Sequence, residues 1–142
     1  MTPEGRQKLK ALLTAHESYK QFPYSDTTGH ITVGIGRNLT DRGISPTEAN
    51  YLLDDDIVYF SSKLSHFLPF FSILDENRQI ALIDMCFNVG LQGFLNFKNM
   101  IIALEAKDHE RAAHEALNSK WAEQVGEKRA TCLANIIRTG EI

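Results

Sequence analysis

The chain has 142 residues, 43% hydrophobic and 23% charged, the balance of a folded globular domain rather than a disordered tail. Its 15 basic and 18 acidic side chains leave a net charge of −3, without the clustered positive field that a nucleic-acid binder needs. No apolar run reaches the ~18 residues of a membrane span, so no stable membrane insertion is expected, and two cysteines are too few for a disulfide scaffold.

Thr2-Pro3-Glu4 reads as a helix start: a hydroxyl cap, a proline in the first turn and an acid at the positive end of the dipole. Leu9, Leu12, Leu13 and His16 then recur at helical spacing, which predicts a helix with one buried face. It should end near Glu17 to Tyr19, because Pro23 disfavours its continuation. From Tyr24 to Gly36, turn residues at Asp26–Gly29 precede the alternating stretch His30–Ile35, which predicts a short antiparallel hairpin or three-stranded sheet. Gly34 and Gly36 weaken a strand interior, so they mark bends or the close approach of another group.

Ser45-Pro46-Thr47-Glu48 is a capping box, and the helix behind it carries Ala49, Leu52, Leu53, Ile57, Phe60 and Leu64 to about Phe67. Within it, Asp54-Asp55-Asp56 lacks the spaced ligands of a calcium loop and reads as a solvated face. Asp75 is placed to cap a helix over 77–89 that is apolar around most of its circumference, so other helices should nearly surround it. Gly90 and Gly93 should break it. Shorter helices are predicted over 97–106, 108–118, 119–124 and 127–139, with Gly140 as a stop. The sum is an α+β chain, mainly helical, with a small sheet near its start.

Chemistry gathers between Glu17 and Thr32. Hydrolysis of a glycosidic bond needs one carboxylic acid to protonate the leaving oxygen and a second carboxylate to steady water or attack the sugar. Glu17 at a helix end and Asp26 at a turn could supply both, with environments different enough to keep one protonated and the other ionised. Their spacing alone fits equally a solvated helix end and an ordinary turn former. Other motifs fail: Leu39 stands where a dinucleotide fingerprint needs glycine, and His109 and His114 are five apart, so they do not converge on a metal. His16, His30 and His66 read as isolated core or surface residues, and Cys86 and Cys132 as buried free thiols.

Laid end to end, Glu17, Tyr24-Ser25-Asp26, Thr32-Val33-Gly34-Ile35-Gly36, Arg78 to Gly90, Gly93-Phe94, Ala112-Ala113, Ser119-Lys120-Trp121 and Arg138-Thr139-Gly140 resemble the phage-type lysozymes, glycoside hydrolase family 24. The matches fall in order over nearly the whole chain. The resemblance implies a two-lobed lysozyme fold over 1–142: a helix-and-sheet lobe at 1–44, a connecting helix at 45–68 and a helical lobe at 69–142, with the cleft between lobes. It implies hydrolysis between N-acetylmuramic acid and N-acetylglucosamine in peptidoglycan strands, without metal or cofactor. Glu17 takes the place of the general acid, while Asp26 and Thr32 take the places of the pair that holds the attacking water. The family is similar to inverting enzymes, whose carboxylates stand roughly 6.5–9.5 Å apart. Phe87 and Asn88 fall where members line the sugar site, or else serve as core and helix-end residues; Arg129 falls where members carry an arginine near the acid.

Three positions depart from the family pattern. Ser18 replaces the usual glycine after the acid, so the turn there should differ. Arg37 replaces a common histidine, so another residue must take over that histidine's structural role or leave it unfilled. The net charge is acidic rather than basic. A lytic transglycosylase, in which the sugar's own hydroxyl attacks, and a non-catalytic wall-binding module are the rival readings. Met1 to Arg6 is not followed by an apolar segment, so synthesis in the cytoplasm without a secretory signal is expected. A holin-type partner would then open the way to the wall for a monomeric enzyme.

Overall fold

The computed structural model describes all residues, Met1–Ile142. Seven α-helices and three strands follow in the order α1 (Pro3–Glu17), β1 (Lys20–Ser25), β2 (Ile31–Gly34), β3 (Arg37–Asn38), α2 (Pro46–Phe67), α3 (Glu76–Leu95), α4 (Lys98–Glu105), α5 (His109–Leu117), α6 (Lys120–Val125) and α7 (Glu127–Thr139). The fold is α+β and mainly helical, as the sequence predicts. The chain forms two compact units, Met1–Tyr51 and Leu52–Ile142.

In the first unit, Thr2 caps α1 by accepting from the Gly5 N–H, and Pro3 opens the helix. The sheet is antiparallel in the order β1-β2-β3, with Thr32 paired to Tyr24 on one side and Asn38 on the other. Strand β1 starts four residues earlier than Tyr24 and contains Pro23. That is tolerable because β1 is an edge strand whose register shifts between Lys20 and Tyr24. The buried face expected of α1 is absent: no residue of the helix is buried, and Leu9, Leu12 and Leu13 stay 40–53% exposed. A unit of fifty-one residues buries a small share of its surface, and within this one the apolar stripe of α1 is left uncovered.

The capping box forms as read, with the Glu48 carboxylate accepting from the Ser45 N–H at 2.7 Å and the Ser45 hydroxyl from the Glu48 N–H at 3.2 Å. The same carboxylate takes both guanidinium nitrogens of Arg37, which also donates to the Gly43 carbonyl. A bidentate ion pair thus stands where the family commonly has a histidine, and Glu48 is held at a pKa of about 2, chiefly by Arg37. Asp54, Asp55 and Asp56 are all exposed, as a solvated face should be.

The second unit carries the core. Ala81, Leu82, Met85 and Cys86 of α3 are fully buried, packed in one cluster with Leu104 of α4, Ala112 and Ala116 of α5, and Ala134 and Ile137 of α7. Alanines at these positions let helices approach closely. Asp75 caps α3 as predicted, accepting from the Arg78 N–H. Arg78 reaches back from there, giving Nε–H to the Ile137 carbonyl at 2.7 Å and a terminal N–H to the Arg138 carbonyl at 2.9 Å. Asn77 donates to the Gly140 carbonyl, and Gly140 ends α7 in the left-handed conformation expected of a stop. Gly90 breaks α3 with φ 77° and ψ 163°. Gly93 does not; it lies within the resumed helix, where a Cβ would come within 3.1 Å of Val89. Of the two thiols Cys86 is buried but Cys132 is exposed, which corrects the expectation for the second.

Candidate active site

Glu17 is the last residue of α1, and its carboxyl group lies over the turn between β2 and β3. A Cβ on Gly36 would meet Glu17 Cδ and Cγ at 2.9 Å and Oε2 at 3.0 Å. Gly36 therefore answers both possibilities raised by the sequence: its φ of +70° makes a bend, and the missing side chain makes room for the acid. Gly34, at φ +68° with nothing within 4 Å of its missing Cβ, serves the bend alone.

Behind Glu17 the chain turns away through Ser18 at φ 62° and ψ 165°. This region is all but reserved for glycine. Serine thus occupies a backbone conformation that glycine favours, and the turn behind the acid carries local strain.

Asp26 sits in the turn between β1 and β2. Its Oδ1 accepts three hydrogen bonds, from the Thr28 N–H at 2.8 Å, the Thr28 hydroxyl at 2.7 Å and the His30 N–H at 2.9 Å. The Thr28 hydroxyl is the main reason that its pKa lies below the usual carboxylate value, followed by the His30 N–H; slight desolvation works against them. Asp26 is thus an ionised carboxylate with one oxygen fully engaged. Oδ2 faces the His30 ring at 3.6 Å, beyond hydrogen-bond reach, and can accept from another donor.

Thr32, in the central strand, is 5% exposed and is the one buried polar residue of the chain. Its hydroxyl reaches only the His30 carbonyl, at a long 3.4 Å, leaving its hydrogen-bonding capacity largely unspent. His30, read from sequence as isolated, proves to be part of the site's frame. Its Nδ1 lies 2.6 Å from the Thr28 hydroxyl and its Nε2 3.3 Å from Asp41. The turn signal Asp26–Gly29 is visible in the sequence, but Asp41 lies in a later turn and only the folded sheet brings it to the ring.

The second unit presents the remaining candidates. Phe87 is 43% exposed and stacks edge-on against Phe60, so it is not a core residue. It lines an apolar groove of about 380 Å³ with Leu53, Ile57, Ile80 and Ile83, to which Asp84 and Arg129 add the polar lining. Those two form an ion pair at 2.6 Å, so Arg129 has a carboxylate partner within its own unit. Asn88, just before the break at Gly90, accepts from the indole N–H of the buried Trp121 at 3.0 Å. That bond fixes which face of its amide is left to solvent.

A small antiparallel sheet joined to a helix that ends in a glutamate, followed by a helical unit, is the framework of a glycosidase of lysozyme type. Residues 14–138 match the family model described as phage lysozyme, and the chain belongs to that family. It is therefore a lysozyme, an enzyme that hydrolyses peptidoglycan. It is 28% identical to "Probable T4-type lysozyme 2" of Dictyostelium discoideum, over 94% of this chain and 95% of that one. It is 26% identical, with the same coverage, to "Probable T4-type lysozyme 1" of the same organism. A further similarity, 27% identity over 94% of this chain, falls on 28% of the length of "Pre-baseplate central spike protein Gp5" of Enterobacteria phage T4.

Proposed function

We propose that this lysozyme hydrolyses the β-1,4 bond between N-acetylmuramic acid and N-acetylglucosamine by a single displacement with inversion. Glu17 acts as the general acid, giving a proton to the glycosidic oxygen as the bond from that oxygen to C1 breaks. A water molecule held by Asp26 and Thr32 attacks C1 from the opposite face and passes its proton to Asp26. Phe87 and Asn88 contact the sugar. The observation that carries this reading is the division of labour within the Asp26 carboxylate. Three donors hold Oδ1 and keep the group ionised, while Oδ2 stays free to orient water. The largely unspent hydroxyl of Thr32 supplies the second point of attachment. A nucleophilic carboxylate would not require that second point.

The test is product analysis of digested peptidoglycan by proton NMR and mass spectrometry. Newly formed reducing ends should appear first as the α anomer and take up one oxygen from labelled water. Initial β anomer would replace displacement by water with a covalent intermediate, and anhydro-muramic ends would make the enzyme a lytic transglycosylase. Glu17→Gln should reduce turnover by at least roughly 100-fold, within the usual size of a general-acid contribution; a folded variant with parental turnover would remove Glu17 from the role of acid.

A further inference from the structure

We infer that His30 is a positioning residue for Asp26, bracing the Thr28 hydroxyl that Asp26 accepts from and facing Asp41 across an ion-pair contact, an arrangement satisfied on both sides only when the imidazole carries both protons. The inference rests on the proposed role of Asp26 as the holder of water. It follows from donor counting. Thr28 has one hydroxyl proton, and at 2.7 Å from Asp26 Oδ1 that proton belongs to the carboxylate, which can only accept. The contact between the Thr28 oxygen and His30 Nδ1 at 2.6 Å then needs a proton on Nδ1. On the other side of the ring Nε2 faces the Asp41 carboxylate at 3.3 Å, an ion-pair contact that holds only when Nε2 also carries a proton.

A neutral ring satisfies only one side. With its proton on Nε2, the ring draws the Thr28 hydroxyl away from Asp26. With the proton on Nδ1, it turns a lone pair toward Asp41. Deprotonation of His30 therefore either takes one of the three donors from Asp26 Oδ1 or loosens the ring that braces Thr28. The charged groups facing the ring are Asp26, from the turn after β1, and Asp41, from the turn after β3. Asp41 is itself fixed: its Oδ2 accepts from the Asn38 side-chain amide at 3.0 Å and its N–H donates to Asn38 Oδ1. No lysine or arginine lies within ion-pair distance of either carboxylate, so His30 is the sole cation available to this cluster.

The experiment measures initial release of reducing ends from purified peptidoglycan between about pH 5 and pH 8, the range in which a histidine changes charge. It compares the parent with His30→Gln, Thr28→Val, Asp41→Asn and Asp26→Asn, alongside carbon-13 NMR of the Asp26 carboxyl over the same range. In the parent, kcat should fall as His30 loses its proton, and the Asp26 carboxyl resonance should show an inflection at the same pH. His30→Gln should lose roughly three- to tenfold in kcat at the acid end, the scale of one half-exposed charge-assisted hydrogen bond, with KM little changed. The inflection and its matching step in the rate profile should both vanish. Asp41→Asn should shrink the pH-dependent step in kcat, because the ring loses the carboxylate that holds it on the Nε2 side. Thr28→Val should lower kcat and shrink the Asp26 inflection to what the direct 3.6 Å contact with the ring leaves. If His30→Gln does not fold, the rate profiles of Thr28→Val and Asp41→Asn decide the matter. A parental rate profile in Asp41→Asn and Thr28→Val, or an Asp26 resonance without inflection, overturns the coupling. Full activity in Asp26→Asn would instead overturn the role of Asp26 on which it rests.

Discussion

Replacement of Gly36 by alanine separates the cost of backbone strain from the cost of moving the acid. An L-residue at φ +70° loses about 1–2 kcal/mol, and the stiffer unfolded chain returns about 0.4–1 kcal/mol of that. The net loss is about 1 kcal/mol. For a chain of 142 residues the unfolding entropy is about 0.3 kcal/mol/K, so Tm should fall by about 3 °C. The new methyl carbon would sit 2.9 Å from Glu17 Cδ, where ordinary contact begins near 3.4 Å. The flexible carboxyl end, rather than the backbone, yields. The clash asks for a displacement of about 0.5 Å, half of the 1 Å that costs roughly a hundredfold in rate, so kcat should fall by roughly tenfold. Gly34→Ala is the matched control, having nearly the same φ and open space where the methyl would go. It should melt about 3 °C early yet keep parental kcat. Thermal melts read beside initial rates on peptidoglycan decide the point. A Gly36→Ala enzyme with kcat within twofold of the Gly34→Ala control would show that this contact does not position Glu17.

Ser18→Gly should relieve the strained turn behind the acid. Strain of about 1–3 kcal/mol, less about 0.5–1 kcal/mol for the freer unfolded chain, predicts a gain near 1 kcal/mol and a Tm about 3 °C higher; an unchanged or lower Tm would mean that the turn carries no strain. Glu48 is held at about 2 against an ordinary 4.5, so its pairing with Arg37 stabilises the fold above the ordinary value and is lost as the pH falls through 2. The Tm difference between the parent and Glu48→Gln should accordingly be largest above about pH 4.5 and close up toward pH 2, as melts across that range would show. Burial pushes the Cys86 thiol up to about 11, whereas Cys132 is exposed. A thiol reagent at neutral pH should modify one cysteine in the native protein and two after denaturation; two in the native state would contradict the burial of Cys86.

Local rules make the helix ends legible. Thr2, Ser45, Asp75 and Gly140 each perform the capping role that their neighbours in sequence announce, because a cap is decided within four residues. Strand β1 is harder, since Pro23 argues against a strand unless one knows that the strand lies at a sheet edge. The stripe of α1 misleads because apolar spacing reports a face that can be buried, not one that its own unit can bury. At the site, Glu17, Asp26 and Thr32 are legible from a likeness spread along the chain. The frame that holds Asp26 is not, because Asp41 reaches His30 across two turns and the sheet. Arg37 is legible as a departure, but its partner Glu48 is not, since that residue is already accounted for as half of a capping box.

The bonds from Asn77 and Arg78 to the carbonyls of Ile137, Arg138 and Gly140 join groups 59 to 63 positions apart. During synthesis the front of α3 is made long before the carbonyls it must bind. Until the final turn of α7 leaves the ribosome, the Arg78 guanidinium has only Asp75 and water to hold. The helical unit is thus fastened only once α7 is made, and a nascent chain cut before Ile137 would lack this clasp.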